Sequence, residues 1–393
     1  MNTQKISMWG LGFLLVVAMA LPVLILYAVG ALASYMVADS ILDTKMLSGF
    51  TLSAFGVAAI LSLKAGKWVK KLGIKHSLYL HFFAVAVGFL CLVISDSFSL
   101  MIVSVAICGI SLALSNPLTN QIIALQVPTK NKAAMVGLKQ AGVQISALVS
   151  GLLFPLLAQQ WGWRVAFSCV IPVSIFMLIV AFSFNWEATK ASAAKVVRQA
   201  KFNSHICTLM VMQACAGLIL APFITFVPSF AVGLGMSVND AAFLITIFGL
   251  VGIFSRIFMT SISAKFNSEA GLIFVLIIIA AIAVTLTFTA TEVTIWQIYA
   301  GVIGIGFTIV ATNALAMAMI MRHDCFGDVP YASGLVSSAF FTGLAVGPLL
   351  FQFSKSLIFS SYSGLGFMIT VLLLFAISVS RLSIPVQELK EAS

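Results

Sequence analysis

Apolar runs of about 18 residues or more recur along the whole 393-residue chain. Each is long enough to cross a hydrocarbon layer as a helix. Inside lipid, every backbone N–H and C=O must be paired within the spanning structure, which leaves helices or closed barrels. A barrel would alternate in segments of about 10 residues, and no such alternation is present. Charged residues are 8% of the chain and hydrophobic ones 61%. A water-facing surface of this size needs far more charge, so lipid must cover the protein. The expected fold class is an all-α membrane protein.

The pattern predicts twelve spans, at 9–35 (interrupted at Leu21-Pro22), 47–64, 78–95, 99–126, 133–158, 165–184, 205–232, 240–264, 271–290, 293–321, 331–356 and 362–381. Twelve spans put both termini on one side. Counted on that side are sixteen Lys and Arg, with clusters at Lys64–Lys75, Lys130 and Lys132, and Lys190–Lys201; the other side has Lys45, Arg164 and Lys355. Basic loops mark the cytoplasmic face, so both termini are expected there, in a multi-pass protein of the inner membrane. Asp39 and Asp43 fall in the first outer turn. The domain expectation is a six-helix bundle over 1–184, a polar linker over 185–204 and a second bundle over 205–393.

Loop position accounts for the net charge of +10 without nucleic acid, since no basic patch with interleaved aromatics stands on a polar domain. The six cysteines form no CxxC pair, which argues against a disulfide framework or a zinc site. The N-terminal apolar run is too long for a signal-peptide core and reads as a retained first helix. Met317, Met319, Met321, His323 and Cys325 offer soft ligands, but thioethers are also common lipid-compatible fillers. The chain contains no P-loop and no nucleophile–base or metal constellation. No enzyme activity and no cofactor are therefore expected.

Sliding the chain by 197 residues sets Gly109 on Gly306, Asn116 on Asn313, Gly137 on Gly334, Leu138 on Leu335, and Leu152-Leu153-Phe154 on Leu349-Leu350-Phe351. Two related six-helix halves are a transporter arrangement, with the solute site at mid-membrane between them. On these features the chain resembles the major facilitator superfamily along essentially its whole length. The family's loop signature between helices 2 and 3, G-x-x-x-D-(R/K)-x-G-x-(R/K), is matched at Gly66, Lys71, Gly73 and Lys75, with Lys70 in place of the acid. The resemblance implies that this stretch gates the carrier. In the family the acid helps hold the outward-facing state against the start of helix 11, and Lys70 does not carry that latch over. Helix 5 and its WGWR turn resemble small bacterial members related to cyanate-type and organic-anion carriers.

Two cations interrupt the spans. Lys139 lies roughly 10 Å into helix 5, and Arg256 is at comparable depth in helix 8. A charge at membrane depth costs several kcal/mol unless it meets a partner or a wet cavity. Lys139 either snorkels to the headgroups or lines a cavity that attracts an anion. Arg256 either pairs with backbone carbonyls or clamps a carboxylate with its fork; in related organic-anion carriers a helix 8 arginine often has that role. No Asp or Glu lies mid-span, so the cavity would be net positive and favour an anion. Gln140 and Gln144 follow Lys139, and Asn116, Asn120, Gln213 and Asn313 are further polar candidates. Such residues equally serve as glue between helices.

The expected function is secondary transport of a small solute, most simply an organic anion, by alternating access. A drug or amphipathic-compound exporter is the alternative within transport, favoured by 32 Phe; a transporter-like sensor is the alternative outside it. The expected partners are the bilayer, the solute and a coupling proton or counter-ion, with the protein a monomer.

Overall fold

The computed structural model describes residues 7–32, 35–36, 47–183, 202–263, 266, 268–357 and 363–382. The expected outer turn with Asp39, Asp43 and Lys45, most of the 185–204 linker, Lys5, Lys265 and Lys390 lie outside the described residues. All regular structure within them is helical. In chain order α1 is Met8–Ala31. A run over Leu47–Val93 is broken at Gly73, giving α2 (47–72) and α3 (74–93). Next come α4, Phe98–Gln126, and α5, Lys132–Trp161. α6 is built from Trp163–Ser168 and Val170–Ser183. α7 is Ser204–Gly233, α8 Val238–Ser263 and α9 Glu269–Phe288. α10 joins Trp296–Phe307 to Ile309–Arg322. α11 is Val329–Leu357 and α12 Ser363–Ser380.

These are the twelve expected spans, with three differences of detail. Pro22 does not interrupt α1, which runs through it. α2 continues eight residues beyond its apolar stretch. Lys64, Lys67, Lys70 and Lys71 therefore stand on helix rather than loop, because long basic stems can lie along a helix end while their ammonium groups reach water. Gly73 alone makes the turn, at φ 75°, a left-handed conformation that suits glycine. A β-carbon on Gly49 would meet Phe98 and Ile102, which places the start of α2 beside the start of α4, just past the end of α3, as a chain reversal at Gly73 requires.

Local chemistry sets several helix starts. The side chains of Ser97, Asn203 and Ser268 each accept a backbone N–H from the first turn that follows, those of Leu100, Ile206 and Gly271. Such caps satisfy otherwise orphaned donors. The outer faces are apolar and open, as at Ile60, Phe83, Ile282 and Leu373, which is the surface expected where lipid is the solvent. Aromatic pairs tie the helices within each half: Phe50 to Phe98, Phe154 to Phe167, and Phe226 to Phe351.

Alternating spans bring the α2–α3, α4–α5 and α10–α11 connections to one end of the molecule, with Lys64–Lys75, Lys130, Lys132 and Arg322. We call this the basic end. The two halves meet most extensively along α5 with α8 and α2 with α11, and also where α4 meets α11. Glycines related by the 197-residue offset make the first two of these contacts. A β-carbon on Gly137 would stand 1.9 Å from Thr260 Oγ1 of α8, and one on Gly334 would stand 2.7 Å from the Ser62 carbonyl of α2. The same repeat is thus used twice to bring opposite halves into backbone contact.

Candidate functional site

The polar residues of the membrane interior gather where α4 and α5 of the first half face α8, α10 and α11 of the second. Lys139 is fully buried, so it does not snorkel. Its Nζ donates to Asn116 Oδ1 at 3.1 Å and to Thr119 Oγ1 at 2.7 Å. Asn116 Oδ1 also accepts from Gln140 Nε2 at 2.8 Å, while Asn116 Nδ2 donates to Ser337 Oγ of α11 at 3.0 Å. One asparagine therefore ties both α5 side chains to α4 and reaches across to the other half.

Arg256, 3% exposed, reaches back from α8. Its Nη1 donates to the Gln140 carbonyl at 3.0 Å and to Gln140 Oε1 at 2.7 Å. Its Nε is buried with no partner, as is Gln144 Nε2. Gln144 Nε2 lies against Gly252, where a β-carbon would come within 2.4 Å of it. Gln140 and Gln144 share one face of α5, and Gly252 and Arg256 share one face of α8, four residues apart in each case. Two unpaired donors thus lie along the same helix–helix seam. Buried donors without partners cost free energy.

Lys139 and Arg256 are close enough to feel each other's charge, and the Tyr27 phenol of α1 lies within electrostatic reach of Arg256. Among the described residues no carboxylate pairs with either cation. Asn120 belongs to the same wall: its Nδ2 donates to Ser333 Oγ at 2.7 Å and to Met317 Sδ at 3.3 Å. Gln213 and Asn313 pair with each other instead, Asn313 Nδ2 to Gln213 Oε1 at 2.8 Å, and Gln213 also reaches the Thr312 carbonyl. They join α7 to α10 within the second half, and no hydrogen bond links them to Lys139 or Arg256. Thr119, Ser333 and Ser337 complete the cluster although no sequence signal singled them out, because small hydroxyls are scattered through every span. The soft-ligand group is dispersed too: Met317 is occupied as an acceptor of Asn120.

At the basic end, Gly66 packs on the backbone of Pro330 and Tyr331 at the start of α11. Lys67 lies over the Tyr331 ring, with 5.9 Å from Nζ to its centroid. Lys70 Nζ meets Asp328 Oδ2 at 2.9 Å, and Asp328 Oδ1 accepts the Tyr331 N–H as a cap of α11. The contact between α2 and the head of α11, which the missing acid put in doubt, is present with its charges exchanged, the base on α2 and the acid at the head of α11. Lys71 and Lys75 do not join it; Lys75 lies over Tyr79 of α3. Deeper in the second half, Glu269 holds Arg322 and, at 2.7 Å, His323 Nε2.

Comparison with known proteins agrees with this architecture. Residues 8–348 match the family model described as the Major Facilitator Superfamily. Protein TsgA of Salmonella typhi is 31% identical over 37% of this chain and 38% of its own length. A TsgA homolog of Enterobacter sp. (strain 638) is 25% identical over 52% and 53%. The alignments thus span about two-fifths to one-half of these curated relatives. Among solved structures, the proton:xylose symporter XylE superposes with a TM-score of 0.78 at 12% identity, over 98% of both chains. The human organic anion transporter MFSD10 gives 0.74 at 15% identity, over 95% of this chain and 99% of its own. The fucose transporter FucP in its outward conformation gives 0.70 at 14%, over 94% and 98%. At these identities the likeness is one of fold.

Proposed function

The chain belongs to the major facilitator superfamily, and we propose that, as a secondary transporter of that family, it carries a small organic anion. The observation that supports this cargo is the pair of buried basic side chains, Lys139 and Arg256, with no carboxylate beside them among the described residues. Basic groups held in low dielectric without an acid favour a negative guest. A carboxylate suits the site because a guanidinium fork matches its two oxygens, and Arg256 Nε and Gln144 Nε2 are donors still without acceptors. One fold neighbour, MFSD10, is itself named an organic anion transporter; its likeness carries the fold and only encourages the cargo.

Alternating access would rock the 1–184 bundle against the 205–393 bundle, with 185–204 as the linker between them. The halves are in contact at the basic end and at the depth of Lys139, an arrangement suited to a carrier closed on that side. Gly66, Lys70 and Asp328 would form its gate. The loop charges support the inner membrane, with the basic end and both termini cytoplasmic. We read the protein as a transporter and not an enzyme, acting as a monomer.

The test is uptake by the purified full-length chain in proteoliposomes, with labelled gluconate, succinate, oxalate and phosphate set against xylose and a cationic dye. At least one organic anion is expected to accumulate, and Lys139→Gln with Arg256→Gln is expected to abolish that flux. Transport of the sugar or the dye alone, or anion uptake that survives the double substitution, would overturn the reading.

A further inference from the structure

We infer that Lys139 is the proton-carrying group of the transport cycle: a neutral amine in the empty carrier, which takes up one proton with each anion and returns it when the anion leaves. The inference rests on the anion reading above and adds the coupling chemistry to it.

Donor counting is the first support. An ammonium has three N–H bonds to satisfy, whereas a neutral amine has two and a lone pair. Lys139 Nζ has two acceptors, Asn116 Oδ1 and Thr119 Oγ1, and no other partner among the described residues. Both acceptors are neutral oxygens and both are otherwise engaged: Asn116 Oδ1 holds Gln140, and the Thr119 hydroxyl gives its own proton to the Ser115 carbonyl. The site as built fits the neutral amine.

The surroundings point the same way. Of the groups facing Lys139, α8 contributes Arg256, which Tyr27 of α1 reaches in turn, while α4 contributes only amides and hydroxyls. On α10, Arg322 and His323 are engaged with Glu269 at the basic end. Among the described residues no acid is therefore available to balance two cations at this depth, and holding both charged is unfavourable. A guanidinium keeps its proton under all ordinary conditions, whereas a buried lysine can release one. Of the two, Lys139 is the group that can shed its charge.

The step balances. An anion and a proton enter from the same side. The Nζ lone pair takes the proton and gains a third N–H, which is then directed at the anion. Arg256 stays charged throughout. One positive and one negative charge cross together, and both leave on the far side as the N–H bond breaks. Carboxylate-based proton sites are unnecessary in such a scheme, which agrees with the absence of Asp and Glu from the span interiors.

Two measurements on the full chain in lipid vesicles test this. The first is a solid-state NMR spectrum of protein labelled with ¹⁵N at lysine Nζ. Lys139 is the one fully buried lysine among the described residues, so a neutral-amine signal is expected that is missing from Lys139→Gln. If every wild-type signal is that of an ammonium, the inference falls and the anion reading stands. The second is gluconate, succinate and oxalate flux under an inward proton gradient. One proton per monovalent anion gives about tenfold accumulation per pH unit, with alkalinisation of the medium. Whatever flux Lys139→Arg retains is expected to move without alkalinisation, and coupled flux in that variant would sink the proposal. If no anion moves in the wild type, the anion reading itself fails.

Discussion

Asn120 donates its side-chain amide to the sulfur of Met317 at 3.3 Å, and the two residues are 197 positions apart in the chain. The same offset superposes the two halves of the sequence. Residues related by an approximate two-fold can touch each other only near its axis. Asn120 and Met317 thus mark where α4 and α10 converge between the halves. The Lys139–Asn116–Gln140–Arg256 cluster lies beside that axis, and its donors come unequally from the two sides.

Arg256 matters through its shape as well as its charge. Its Nη1 grips both oxygens of Gln140 while Nε is left over, a division of labour that an ammonium cannot reproduce. Arg256→Lys is expected to lower organic-anion uptake by about tenfold or more, equivalent to ~1.4 kcal/mol. Uptake kinetics in proteoliposomes measure it, and wild-type rates would show that charge alone suffices.

At Gly137, α5 packs directly on the backbone of α8. Gly137→Ala would force a β-carbon to within 1.9 Å of Thr260 Oγ1 and 2.7 Å of the Arg256 carbonyl. Overpacking of this kind costs ~1–3 kcal/mol. The variant should melt well below wild type in detergent. Gly151→Ala, whose nearest neighbour is Thr246 Oγ1 at 3.7 Å, serves as the control. Equal melting of the two would mean that the close packing at Gly137 is not binding on the fold.

The reversed latch is a weak one. Lys70 is half-exposed, and exposed pairs contribute roughly 0–1 kcal/mol. Lys70→Gln should raise thiol labelling of a cysteine introduced on the α11 face of α2 by no more than about fivefold. Asp328→Asn keeps an oxygen to cap Tyr331 and should give a similar change, with the double substitution adding nothing. Additive effects would show that the two residues act separately.

Glu269 is a firmer element. Its two carboxylate oxygens meet Arg322 and His323, one each. Glu269→Gln leaves a largely buried guanidinium without its counter-charge and should cost ~3 kcal/mol. Melting temperature and the yield of monodisperse protein report this, and a variant as stable as wild type would contradict it.

Most of the architecture was legible in the sequence because lipid imposes one rule on every span. Apolar length marked the helices, and the 197-residue glycine repeat marked segments at which α5 meets α8 and α2 meets α11. Lys139, Gln140, Gln144, Asn116, Asn120 and Arg256 stood out because polar groups are expensive at depth, and hydrogen bonds join four of them, Lys139, Asn116, Gln140 and Arg256. Gln213 and Asn313 stood out for the same reason and lie elsewhere, since cost alone does not say which neighbour relieves it. Lys70 was misleading for a different reason. A motif compares residue types at fixed positions, so an acid that has moved to the other side of the contact, at Asp328, reads as a missing one.

The polar bonds at the centre divide unevenly between the halves. If the bundles part at the basic end, Lys139 leaves with both of its acceptors, because Asn116 and Thr119 travel on the same half. Arg256 leaves with neither of its two, because both oxygens belong to Gln140. Separation therefore strips one guanidinium of both its acceptors, while the amides of Asn116 and Asn120 lose only the neutral hydroxyls of Ser337 and Ser333 and the Met317 sulfur. Whatever bathes the opened cleft, water or solute, must reclothe that guanidinium, the one charged group so exposed at this depth, before the carrier can dwell there.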